Sequence, residues 1–72
     1  MSVTQAVRVR VNGEERVLPA STSVSDLLAE LGLPAARVAV EFNLEILPKP
    51  SYADTVLRDD DRLEIVHFVG GG

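Results

Sequence analysis

The chain has 72 residues, with one histidine, no cysteine, no tryptophan and a formal net charge of -4. A domain of this size buries only about 60–65% of the surface its unfolded chain exposes, which leaves little room for an enclosed catalytic pocket, and the lack of cysteine excludes disulfides, a thiolate metal site and a Cys nucleophile. The acidic balance and the scatter of Lys and Arg from Arg8 to Arg62 argue against a nucleic-acid binder, which needs clustered cations, and favour a soluble domain facing a basic partner surface.

In chain order, Val7, Val9 and Val11 alternate with Arg8, Arg10 and Asn12, the period of a half-buried strand. Asn12-Gly13 then predicts a tight hairpin, because both residues accept the positive φ of primed turns. A second strand is expected over residues 15–18, stopped by Pro19. The period next becomes helical: Val24, Leu27, Leu28 and Leu31 form one apolar stripe. Ser23 is placed to cap that helix, with Asp26 completing a capping box and adding a carboxylate near the positive end of the helix dipole. Gly32 suits the left-handed position that ends it before Leu33 and Pro34.

Residues 38–42 read as a strand with Val38, Val40 and Phe42 on one face and Ala39 and Glu41 on the other. Residues 43–45 should turn the chain into a short strand at Ile46 and Leu47. Residues 51–57 are expected to cross over irregularly, with Tyr52, Val56 and Leu57 reaching toward the core, and Asp59, Asp60 and Asp61 to make a solvated turn. The last strand is expected over residues 62–68. No apolar stretch nears the roughly 20 residues that span a bilayer, and residues 1–6 lack the features of a signal peptide, so a cytosolic location is expected.

The element order β-β-α-β-β-β with one helix describes an α+β, β-grasp (ubiquitin-like) domain: a mixed sheet of four to five strands covered on one face by the helix. The domain should occupy residues 1–69, followed by a flexible glycine tail, residues 70–72. In this fold the first and last strands lie side by side at the sheet centre. Leu63 and Ile65 should then face the helix, with His67 on their side or at the sheet edge, and Glu64, Val66 and Phe68 should point to the uncovered face. A face open to water usually carries polar residues, so Val66 and Phe68 suggest a docking patch for a partner; ordinary surface scatter is the alternative.

Side-chain chemistry finds no convincing home. His67 has no partners at metal-ligand spacing, the three aspartates lack the alternating ligands of a calcium loop, and Glu41 with Glu45 has no substrate pocket to serve. Ser21, Thr22, Ser23 and Ser25 surround a helix start, where capping explains them. Neither a catalytic residue nor a metal ligand is therefore assigned. Gly70, Gly71 and Gly72 remain: a thread without side chains that a narrow channel can admit. A frayed terminus or a cloning remnant would look the same. If Gly72 ends the chain, its α-carboxylate, with a pKa of about 3.5, is ionised and resists nucleophiles, so another protein must activate it.

The stretch Val24-Ser25-Asp26-Leu27-Leu28, residues 38–47 with Asn43 at the turn, the acidic turn before Leu63-Glu64-Ile65, and the ending Val66-His67-Phe68-Val69-Gly70-Gly71-Gly72 resemble the ThiS family of sulfur carriers in thiamine biosynthesis. The resemblance implies that a ThiF-like adenylating enzyme activates Gly72 with ATP and magnesium, and that a sulfurtransferase persulfide converts it to a thiocarboxylate. A ThiG-like thiazole synthase would then accept the sulfur. Gly70 and Gly71 would thread into the partner, no cofactor would be bound by the chain itself, and the sulfur would ride covalently on its end. The family ending needs two glycines and this chain has three. A MoaD-like carrier for molybdopterin, a ubiquitin-like protein modifier and a plain interaction module stand as alternatives.

Overall fold

A computed structural model of the protein describes residues 5–68. The elements are β1 (Ala6–Val11), β2 (Glu14–Pro19), α1 (Val24–Leu31), β3 (Val38–Phe42), β4 (Glu45–Leu47) and β5 (Arg62–His67), with 3₁₀ turns at Ala35–Arg37 and Lys49–Ser51. The strands form a five-stranded sheet in the order β2-β1-β5-β3-β4. β1 and β5 are parallel and the other neighbours antiparallel. This is the expected mixed sheet with one helix among the described residues, and the first and last strands are neighbours as anticipated. That helix, eight residues long, is too short to cross a membrane.

Local sequence explains the first hairpin turn and both ends of the helix. Val11 pairs with Glu14, so the first loop is Asn12-Gly13 alone, with φ of 51° and 84°. β2 is longer than expected: it starts at Glu14 and takes in Pro19, which pairs with Ala6. β2 is an edge strand, where a missing N–H is tolerated. The Ser23 hydroxyl accepts from the Asp26 N–H, and the Asp26 carboxylate accepts from the Ser23 N–H, each at 3.0 Å. Gly32, at φ 73°, ends the helix as its sequence position suggests, and Leu33 N–H donates to the Leu28 carbonyl at 2.9 Å.

The second hairpin is tighter than expected. Phe42 pairs with Glu45, which belongs to β4, so the loop is Asn43-Leu44 with φ of 49° and 74°. Asparagine tolerates this left-handed backbone and leucine does not. Asn43 holds the loop in place: its N–H donates to the Arg62 carbonyl at 2.8 Å, its side-chain oxygen accepts from the Arg62 N–H at 2.9 Å, and its amide donates to Asp61 Oδ1 at 3.1 Å.

The helix buries Val24, Leu27 and Leu28 against Val9, Val11 and Leu18 of the first hairpin, and against Val38, Val40, Leu63 and Ile65 of the central strands. Full burial of one such side chain contributes about 1.5–3 kcal/mol. Tyr52 and Leu57 close the core from the crossover as expected, but Val56 does not: it is 46% exposed. Val56 instead forms an isolated backbone bridge with Ser23, and extended backbone sends it away from the buried Leu57.

Leu44 gives a signed test of the loop. Its side chain is 85% exposed, so little packing is at stake, whereas its left-handed backbone costs about 1–2 kcal/mol. Glycine removes that cost but adds about 0.5–1 kcal/mol of chain entropy. Leu44→Gly is therefore expected to stabilise the domain by about 0.5–1 kcal/mol in urea denaturation. A lower midpoint would show that the loop carries no such strain.

Candidate functional site

The last strand is held on both sides. Toward β1, the N–H groups of Arg10 and Asn12 donate to the Asp61 and Leu63 carbonyls, each at 2.9 Å. Where β1 turns away, the Asn12 side chain continues the ladder: its oxygen accepts from the Ile65 N–H at 2.6 Å and its amide donates to the Ile65 carbonyl at 3.2 Å. Toward β3, β5 pairs from Phe42↔Leu63 through Val38↔His67. The strand ends at His67, one residue earlier than expected, yet Phe68 is still anchored, its N–H donating to the Arg37 carbonyl at 2.8 Å.

Alternation along β5 buries Leu63 and Ile65 under the helix and turns Glu64 and Val66 outward. His67 is exposed and borders a groove with Val11, Leu31 and Ile65 on the helix side. On the uncovered face, the pairings Ala39↔Val66, Glu41↔Glu64 and Glu41↔Ile46 gather these five residues around a shallow concavity of about 140 Å³. Val66 is 58% and Ile46 70% exposed. Phe68, 50% exposed, does not line that concavity; its ring lies at the end of the sheet, 5.9 Å from Lys49 Nζ. The two apolar residues expected on one patch are thus neighbours in sequence with different surroundings. Ile46 and Ala39 were not assigned to the patch from sequence, although the Ile46-Leu47 pair in a short strand implied that one of them faces outward.

Charge on this face is uneven. Glu41 and Glu64 sit directly opposite each other, and like charges in such positions repel, whereas Arg10 faces Arg62 on one side and Glu15 on the other. Among the described residues the ion pair is Arg8–Glu15 at 2.7 Å, with both side chains largely exposed, an arrangement worth less than about 1 kcal/mol. The result is a mixed-charge half over β1, β2 and the start of β5, where Arg8, Arg10 and Arg62 stand among Glu15, Asp60 and Asp61, and an acidic, apolar half over β3, β4 and the end of β5.

The acidic turn is more than a solvated loop. Asp59 Oδ1 accepts from the Arg8 N–H at 2.8 Å, and Asp61 Oδ2 accepts from the Arg58 N–H at 2.8 Å. Asp60, at φ 71°, donates its N–H to the Arg8 carbonyl at 2.8 Å. These aspartates fasten the entry of β5 to β1. The Thr22 hydroxyl donates to the Pro19 carbonyl at 2.6 Å, so with Ser23 it serves the helix start. Among the described residues no three His, Cys, Asp or Glu side chains converge to hold a metal. Gly70, Gly71 and Gly72 lie outside the described residues.

A mixed five-stranded sheet gripping one helix, with the last strand central and one face uncovered, defines the protein as a single-helix β-grasp domain. Comparison with known proteins narrows the class. The ThiS family model matches residues 4–72. The sulfur carrier protein ThiS of Bacillus subtilis is 43% identical over 65 residues, covering 89% of this chain and 98% of that protein. A crystal structure of the ThiS thiamine biosynthesis protein from Geobacter metallireducens superposes with a TM-score of 0.74 at 32% identity, covering 92% of this chain and all of that one. A protein of Paramagnetospirillum magneticum named thiazole synthase is 54% identical over 66 residues, and this chain spans only 20% of its length. The chain belongs to the ThiS family, that of the small sulfur carrier of thiamine biosynthesis.

The exposure of Phe68 makes a direct prediction. Phe68→Asp is expected to cost less than about 1 kcal/mol in urea denaturation, as for other exposed positions, whereas the buried Leu63→Ala should cost about 2–5 kcal/mol. Equal losses would place Phe68 in the core.

Proposed function

We propose that this protein is a sulfur carrier whose reactive group is the Gly72 carboxylate. The observation that carries the reading is the family match running through the glycine ending, residues 4–72. An adenylating partner using ATP and magnesium would join the carboxylate to AMP and release pyrophosphate. The terminal sulfur of a sulfurtransferase persulfide would then attack the Gly72 carbonyl, expelling AMP. Cleavage of the resulting S–S bond by a thiol would leave a thiocarboxylate on Gly72. The domain contributes no catalytic side chain to these steps; its part is to present the end of β5 and be recognised.

Thiazole synthase is the proposed acceptor. Support comes from the proteins of Paramagnetospirillum magneticum and Magnetococcus marinus that bear that name, each of which contains a segment like this chain within a longer protein. The uncovered face, through Val66, and Phe68 at its end are the proposed contacts for both partners. The protein-modifier alternative gains nothing from the chain itself: its one lysine, Lys49, donates to two backbone carbonyls and is a poor acceptor for building chains of copies.

The test is to incubate the protein with an adenylating enzyme of the ThiF class, ATP, magnesium, a persulfide donor and a thiol. Mass spectrometry of the C-terminal peptide is expected to show one oxygen replaced by sulfur. An unchanged mass, with the enzymes active on another carrier, overturns the reading. Residues added after Gly72, or deletion of Gly71 and Gly72, should abolish conversion with the fold intact, since four extended residues beyond Phe68 reach at most about 13–14 Å. Phe68→Asp should weaken partner binding by about 2 kcal/mol, roughly 30-fold, as loss of an aromatic anchor does; unchanged affinity would remove Phe68 from the interface.

A further inference from the structure

Lys49 lies far from the chain's end in sequence, on the 3₁₀ turn after β4, and nothing in the carrier chemistry calls for it. Its ammonium nevertheless meets three other segments of the molecule. It donates to the Ala35 carbonyl at 2.9 Å and to the Val38 carbonyl at 2.6 Å. It also stands 5.8 Å from the centre of the Tyr52 ring and 5.9 Å from that of Phe68, within the range at which a cation is attracted to an aromatic face. Between the two carbonyls that Lys49 binds lies the Arg37 carbonyl, which accepts the Phe68 N–H at 2.8 Å. One cation therefore fixes the peptide segment that receives the Phe68 backbone and also attracts the Phe68 ring.

We propose that Lys49 is a positioning residue for sulfur loading, clamping Phe68 so that the partner meets the end of β5 in one fixed position. The proposal rests on the sulfur-carrier reading. Tyr52, 3% exposed, ties the lysine to the core, so the clamp is referenced to the rigid part of the domain. Phe68 needs such a device. β5 has ended, its side chain is half exposed, and one backbone hydrogen bond is a weak hold on the last described residue. Misplacement of a reacting group by a small distance lowers the rate of the chemical step more than it weakens docking, so the clamp should act on kcat.

Lys49→Met keeps the apolar stem and removes the charge and both donors, whereas Lys49→Arg keeps a cation able to bond carbonyls and lie against rings. In the free protein, amide exchange at Phe68 is expected to accelerate about 10-fold in Lys49→Met while Ile65 stays protected, as for a local opening that leaves the sheet intact. In the loading assay Lys49→Met should lower kcat about 10-fold with KM changed less than about 2-fold. Lys49→Arg should restore both readouts. Phe68→Leu, which leaves the lysine's hydrogen bonds in place, should reproduce part of the kcat loss and serves if Lys49→Met folds poorly. Unchanged exchange at Phe68, an unchanged kcat, or failure of Lys49→Arg to rescue overturns the clamp. A wild-type protein that active enzymes cannot load overturns the carrier reading, and the clamp's role in loading with it.

Discussion

Everything in this domain depends on the central strand β5 being held from both sides. β5 is the innermost strand, with β1 on one flank and β3 on the other. The parallel contact with β1 spans only two paired positions, Arg10↔Arg62 and Val11↔Leu63, and is extended by side chains that imitate backbone. Asn12 completes the ladder at Ile65, Asp59 takes the Arg8 N–H of β1, Asp61 takes the Arg58 N–H of the turn, and Asn43 does for the β3 side at Arg62 what Asn12 does for β1. An asparagine amide carries the same donor and acceptor as a peptide group. It can therefore lengthen a sheet past the point where the main chain must turn, and both asparagines also tolerate the positive φ that the turns demand.

A second constraint follows from size. One helix of two turns covers one face of a five-stranded sheet, so the other face must meet water or a partner. Its residues are not those of an inert surface. Ala39, Ile46 and Val66 form an apolar centre beside two carboxylates in direct opposition, Glu41 and Glu64. That like-charged pair costs a few tenths of a kcal/mol or more in the free domain. The two guanidinium groups of Arg10 and Arg62 are offset by Glu15, which faces Arg10. A partner that brings positive charge to the two glutamates removes their repulsion, and this contributes to binding specificity.

Much of this was legible before the fold was known. The Asn12-Gly13 turn, the Ser23–Asp26 capping box, Gly32 and the helical stripe each follow from local chemistry, and local chemistry sufficed for the strands and the helix. What escaped the sequence depends on distant neighbours. Val56 reads as core because it stands beside Leu57, but a bridge to Ser23 turns it outward. The aspartates of the acidic turn read as solvated because their acceptors face N–H groups that are nearby only in space, such as that of Arg8, 51 positions away from Asp59. Leu44 lies in the expected turn, but a leucine carries no sign of a left-handed backbone: its conformation is imposed by the pairing of Phe42 with Glu45 and by the hold on Asn43. Lys49 is the extreme case, since one lysine between two prolines carries no sign that its ammonium ends against three other segments.

That the described residues bring together no nucleophilic constellation becomes intelligible on the carrier reading, because the chemistry is then supplied by the enzymes that receive the chain. What the domain must supply is an address and an origin from which a short thread of glycine reaches a fixed distance. Fixing one residue of backbone in a partner's channel costs about 1–2 kcal/mol, and that cost grows with every residue that enters unplaced. Anchoring Phe68 in the free domain, through the Arg37 carbonyl and the Lys49 ammonium, settles its share during folding, where the core stabilises it.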